Sequence, residues 1–111
     1  MNIKELTERM NQFVRQKGWY DENSPRPQTP RNLAVSLTLE AAELLELFQW
    51  QEQIPEQDAL AGELADVTLY VLQLASVAGI DLEKAVLETL DHNVQRRWPE
   101  EGQQRSEAEH G

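Results

Sequence analysis

Apolar side chains recur at helical spacing in four stretches of the chain, and no stretch of useful length alternates apolar and polar positions as a half-buried strand does. The first stretch carries Ile3, Leu6, Met10, Phe13 and Val14 on one stripe, with Asn2 as cap, Glu5 three residues on and Gly18 beyond its end. Residues 19 to 30, WYDENSPRPQTP, hold three of the five prolines and no periodicity, so they form a loop. Thr29 followed by Pro30 marks the next start, because proline lacks an N-H that the first turn leaves unbonded anyway. Helix two is expected over Pro30 to Gln51, and helix three over Ala59 to Ala78 with Gly79 as its stop. Helix three places Leu60, Leu64, Val67, Val71, Leu74 and Ala78 on one side and Leu69 and Leu72 on the other, so two of its faces need cover. Asp81 caps a fourth helix whose Leu82, Ala85, Val86, Leu90 and Val94 line up before Pro99. The pattern predicts an all-α domain over residues 1 to 99 and a disordered polar tail over 100 to 111, which has no apolar residue beyond one alanine.

The stripe of helix two has an intruder. At about 100° per residue Leu33, Leu37, Leu44 and Phe48 share a narrow arc, and Glu40 falls within it, with Glu43 on its edge. An unpaired carboxylate on a buried face costs several kcal/mol, so it requires a compensating partner. Helix three repeats the construction with Glu63 at the margin of its stripe, Asp66 further round and Tyr70 between them. The midpoints of the two acidic pairs average to position 53, next to the break at Ile54 to Asp58. If the helices fold back on each other, both pairs stand at one height and four carboxylates converge. Four such charges are relieved by divalent cations, and an all-oxygen set suits Mg²⁺, Mn²⁺ or Ca²⁺. A di-iron bundle pairs Glu with His three residues on, a spacing neither His92 nor His110 meets. A lone E-x-x-E is usually a solvated face, the reading given to Glu5, Glu46 and Glu88.

Composition narrows the classes further. The 111 residues carry 20 acidic against 10 basic side chains, a formal charge of −10, with 40% hydrophobic content, enough for one modest core. Such a charge repels a nucleic-acid polymer. Without cysteine the chain has no disulfide, thiolate metal site or thiol nucleophile. No export signal is evident in MNIKELTERMNQF and no run of about 18 apolar residues is evident anywhere, so a cytoplasmic protein without a membrane partner is expected.

Glu40-Ala-Ala-Glu43-Leu-Leu-Glu46-Leu-Phe-Gln-Trp50, followed by Glu63-Leu-Ala-Asp66-Val-Thr-Leu-Tyr70, resembles the E-x-x-E then E-x-x-D signature of the MazG-like nucleotide pyrophosphohydrolases. The similarity is greatest to the small all-α dCTP pyrophosphatase branch and extends through Trp19, Pro30-Arg31-Asn32, Asn93 and Arg96-Arg97-Trp98-Pro99. It implies cleavage of a nucleoside triphosphate between its α and β phosphates, as in cleansing of the nucleotide pool, by a four-helix homodimer or dimer of dimers. It also implies Mg²⁺, with Mn²⁺ as an alternative, on Glu40, Glu43, Glu63 and Asp66, which are then both metal ligands and catalytic residues. Trp19, Trp50 and Tyr70 would contact the substrate by stacking, and Arg31, Asn93, Arg96 and Arg97 would contribute polar contacts. Three departures stand out: a longer loop between Trp19 and Pro30, Met10 in place of a base-contacting histidine, and Thr89 where a lysine is common. Read without the resemblance, the same residues also fit a catalytically silent helical interaction module or a metal-carboxylate hydrolase of a non-nucleotide substrate.

Overall fold

A computed structural model of the chain describes residues 1 to 95, and within them every regular element is helical. The elements are α1 (Ile3–Gln16), α2 (Pro30–Glu46), α3 (Gln57–Val77) and α4 (Leu82–Gln95). The expected all-α class is therefore what the chain adopts. The proposed tail at 100 to 111 and the sequence around Arg96 lie outside the described residues.

The caps explain most of the boundaries. Asn2 accepts from the Glu5 amide at 2.8 Å while the Glu5 side chain accepts from the Asn2 amide at 3.3 Å, a reciprocal box that satisfies two otherwise unbonded donors. Thr29 Oγ1 accepts from the Asn32 amide at 3.1 Å at the start of α2, and Asp81 Oδ1 accepts from the Lys84 amide at 3.1 Å at the start of α4. At the end of α1 the amides of Gly18 and Trp19 donate to Arg15 and Val14 carbonyls, and at the end of α3 those of Gly79 and Ile80 donate to Ser76 and Ala75. Both are paired closures on a left-handed glycine, with φ of 74° at Gly18 and 72° at Gly79.

Two boundaries differ from expectation. Helix two stops at Glu46 and not at Gln51, because amides 47, 48 and 49 bond three residues back, to Leu44, Leu45 and Glu46, so the last turn tightens and the α ladder ends. Gln51 Nε2 then takes up the Leu47 carbonyl at 3.2 Å. Helix three starts two residues before Ala59, with Glu56 accepting from the amides of Asp58 and Ala59.

Packing centres on α3. The α2–α3 hairpin is the most extensive pairing, α1 crosses α3, and α4 touches α1 and α3 lightly. Met10, Val14 and Leu72 form a core cluster under Ile3, Trp19, Tyr20 and Leu82, and Leu33 is the most deeply buried large side chain at 2% exposure. The core is modest: the described apolar residues that are fully buried are Met10, Val14, Leu33, Leu72 and Ala75. The stripe of α4 is half-buried at Leu82 and Ala85 and left open beyond them, with Val86, Leu90 and Val94 exposed. No uninterrupted run of about 18 apolar residues is present in α3, although an 18-residue window of it reaches a mean hydropathy of 1.3, which by length and composition is apolar enough to cross a membrane. The core helix of a soluble protein meets the same measure, and α3 interrupts its apolar surface with Glu63 and Asp66.

Candidate active site

Folding α3 back on α2 brings Glu40, Glu43 and Glu63 together, with one carboxylate oxygen from each lying within 4.8 Å of the others. Glu40 and Glu63 are half-buried and Glu43 is exposed, as their positions within or beside the apolar stripes require. Glu40 Oε2 and Glu63 Oε2 are inaccessible to solvent and lack a hydrogen-bond partner among the described residues. A buried anionic oxygen without a donor is costly, and the chain sets two of them beside a third carboxylate with no cationic side chain in ion-pair contact with the trio among the described residues.

The electrostatics follow. Burial pushes the Glu40 carboxyl up to about 7, helped by a shared hydrogen bond and the charge of Glu43 and then by the charges of Asp66 and Glu63. Burial also raises Glu63, followed by the charges of Glu43, Asp66 and Glu46. Asp66 is thus near enough to act on both glutamates, although its carboxylate stands apart from the close trio. Glu46 is exposed, as a solvated face requires, yet its charge reaches Glu63, a role not anticipated for it. The donor set fits a hard divalent cation: oxygen ligands only, excess negative charge, and two buried oxygens whose missing partner a cation supplies.

Asp66 also lines a cavity of about 530 Å³ between α1, the loop after it, α2 and α3. Its walls include Met10, Phe13, Trp19, Leu69 and Tyr70. Trp19 is held there by the glycine closure of α1, by an edge-on contact with Phe13 at 5.8 Å between ring centroids, and by the Arg26 guanidinium 5.4 Å from its ring. Of the aromatic residues expected to meet a substrate, Trp19 and Tyr70 share this cavity, and Met10 lines it as well. Trp50 does not join them: it follows the tightened end of α2 and is 90% exposed. Arg31 is exposed in the first turn of α2 and Asn93 is half-buried on α4, both outside the cavity lining, while Arg96 and Arg97 fall beyond the described residues. The spacing argument overlooked Arg26, Gln28 and Gln73 on the cavity wall. Gln73 had a signal of the same kind as Glu40, a polar residue inside the apolar run Val71-Leu72-Gln73-Leu74-Ala75.

A helical hairpin that gathers acidic side chains at one height beside an aromatic-walled cavity defines an all-α protein equipped to hold a hard cation next to a small organic ligand. The chain belongs to the MazG-like family, whose model matches residues 35–111. It is 36% identical to dCTP pyrophosphatase 1 of Rattus norvegicus over 94 residues, 77% of this chain and 52% of that protein. To dCTP pyrophosphatase 1 of Homo sapiens it is 38% identical over 97 residues, 79% of this chain and 54% of that protein, so it spans about half the length of these curated relatives. Its fold is also that of the crystal structure of a pyrophosphatase from Archaeoglobus fulgidus, with a TM-score of 0.68 and 34% identity over 86% of this chain and 91% of that one.

Proposed function

We propose that this protein is a metal-dependent nucleoside triphosphate pyrophosphohydrolase that releases pyrophosphate and the monophosphate, with a deoxycytidine-type triphosphate, plain or modified on its base, as preferred substrate. The observation that carries this reading is the trio of Glu40, Glu43 and Glu63, two of them with buried unbonded oxygens, at the Asp66 edge of a cavity walled by Trp19 and Tyr70. Likeness to proteins named dCTP pyrophosphatase 1 and to a solved pyrophosphatase supports the choice of reaction and of base.

Glu40, Glu43, Glu63 and Asp66 would hold Mg²⁺ or Mn²⁺, which when bound supplies charge neutralisation for the triphosphate and Lewis-acid polarisation of its phosphorus centre. The chain's own contribution is positioning. Its acids fix where the phosphates sit relative to α2 and α3, while Trp19 offers a flat face for the base and Tyr70 an aromatic edge with a hydroxyl. Phosphoryl transfer has little covalent work for a side chain to do, so alignment and charge compensation account for most of the rate. Burial and the neighbouring acids push the Glu40 carboxyl up to about 7, and a cation held by the trio would favour its ionised form. Arg31, Asn93, Arg96 and Arg97 are retained in the proposal as polar contacts, and Trp50 as an aromatic one; since Trp50 lies outside its own chain's cavity, it would act from a neighbouring subunit of a homodimer or homotetramer.

The test is a panel of canonical and base-modified NTPs and dNTPs with Mg²⁺, read by pyrophosphate release. Deoxycytidine-type triphosphates are expected to be turned over best, with measurable hydrolysis of other pyrimidine nucleotides. Preference for purine triphosphates would refute the assignment of the base and leave the reaction class standing.

A further inference from the structure

The cavity wall holds a buried polar side chain on α3, two turns along from Asp66. Gln73 is 5% exposed, sits in the apolar stretch of α3 and lines the cavity together with Asp66 and Tyr70. Positions 66, 70 and 73 share one face of a helix, and 66 and 73 are about 10 Å apart at 1.5 Å per residue, the length scale of a nucleoside. With phosphates at the Asp66 end, a base extended along this face arrives at Gln73.

Which atom of the Gln73 amide is on offer is set by a chain of hydrogen bonds. Gln28 Nε2 donates to the Arg26 carbonyl at 2.6 Å, and because a carbonyl only accepts, this fixes Gln28 with its oxygen turned the other way. That oxygen accepts from Gln73 Nε2 at 2.6 Å, which fixes Gln73 in turn. The amide nitrogen is therefore engaged, and Oε1 is the group left to face a ligand as an acceptor.

We infer that Gln73, locked by Gln28 with its amide oxygen as the available group, is the residue that selects a base bearing an exocyclic amino group over its oxo counterpart. The inference rests on the pyrophosphohydrolase reading. Cytosine presents an N4 amino donor where uracil presents an O4 acceptor, so an acceptor that cannot turn pairs with the first and repels the second. A free glutamine would rotate and serve both; the bond to Gln28 removes that option. The apolar and aromatic part of the cavity supplies stacking that is indifferent to this difference.

The experiment compares kcat/KM for dCTP and dUTP, nucleotides of the same shape, in the full chain and in Gln28→Ala and Gln73→Leu, with circular dichroism as the check on folding. The wild type is expected to favour dCTP by about tenfold or more, the scale of one unpaired buried polar group. Gln28→Ala frees the amide to rotate, so the ratio of dCTP to dUTP turnover should fall, with dUTP gaining relative to dCTP. Gln73→Leu should lower dCTP turnover and bring the ratio near unity. Gln28 lies on the loop, so its variant decides the matter even where Gln73→Leu fails to fold. An unchanged ratio in the folded variants, or a wild type that favours dUTP, overturns this inference and leaves the reaction in place. Absence of pyrophosphate release from every nucleotide overturns the reading beneath it as well.

Discussion

Glu40 is the residue at which the sequence speaks most clearly. A carboxylate centred on the stripe of Leu33, Leu37, Leu44 and Phe48 requires a compensating partner, and the fold sets Glu43 and Glu63 within reach of it, a like-charged group that a cation would relieve. Asp66 was read as the fourth member, and it acts on the others by charge while standing apart from the trio, since side-chain direction in the absence of a cation is not written in helical spacing. The raised carboxyls give the metal-free protein a definite pH response. Glu40 in the folded state titrates at about 7 and in the unfolded chain near 4.5, so between those values the folded state binds more protons than the unfolded one. Its contribution to stability is fully present below about 4.5 and is lost as pH rises through about 7, with Glu63 shifted in the same direction. Thermal unfolding in EDTA should therefore show Tm falling as pH is raised from about 5 to about 7, and the slope should flatten in Glu40→Gln. A Tm that climbs over that interval would mean that the acids are not mutually destabilising.

At the scale of elements, caps were legible and helix ends less so. Asn2, Thr29, Asp81 and the two glycines were readable because each has the residue type its backbone position demands. Glu56 was not, because glutamate is an uncommon cap, and the early end of α2 was not, because apolar Leu47 and Phe48 continue the helical spacing through a turn that the backbone closes more tightly. The loop from Gly18 to Thr29 had no periodicity to read, yet it places Trp19, Arg26 and Gln28 on the cavity wall. Its anchor is Gly18, where a Cβ would meet Asp21 Oδ2 at 3.1 Å and a positive φ of 74° would strain any other side chain. Gly18→Ala should lower stability by about 1 kcal/mol or more and raise KM for the nucleotide through a displaced Trp19, while affinity for Mn²⁺, which depends on α2 and α3, stays unchanged. Equal loss of metal and nucleotide affinity would place the effect elsewhere.

For the whole molecule the balance of apolar surface is the decisive feature. A chain of this composition leaves Val86, Leu90 and Val94 on α4, together with Leu64 on α3, facing outward, more than an isolated helical domain needs to expose. The sequence pointed to this through the two apolar faces of α3, but α4 looked like a helix with an ordinary inward stripe, and only the light contact of α4 with α1 and α3 separates the two cases. A dimer or larger assembly is expected in light scattering at micromolar concentration, and Leu90→Asp should shift it toward the monomer by placing a charge in a dehydrated contact. A wild-type monomer at that concentration would contradict the assembly.

The central claim is that the acids of α2 and α3 organise cleavage of a nucleoside triphosphate between its α and β phosphates. Phosphorus NMR of a dCTP reaction measures it most directly, because it distinguishes pyrophosphate from orthophosphate. With Mg²⁺ present, dCMP and pyrophosphate should form in equal amounts, and both should vanish with EDTA or in Glu63→Gln, whose helical content is expected to match the wild type. Orthophosphate with dCDP, no turnover of any nucleotide, or undiminished turnover in Glu63→Gln would contradict the account.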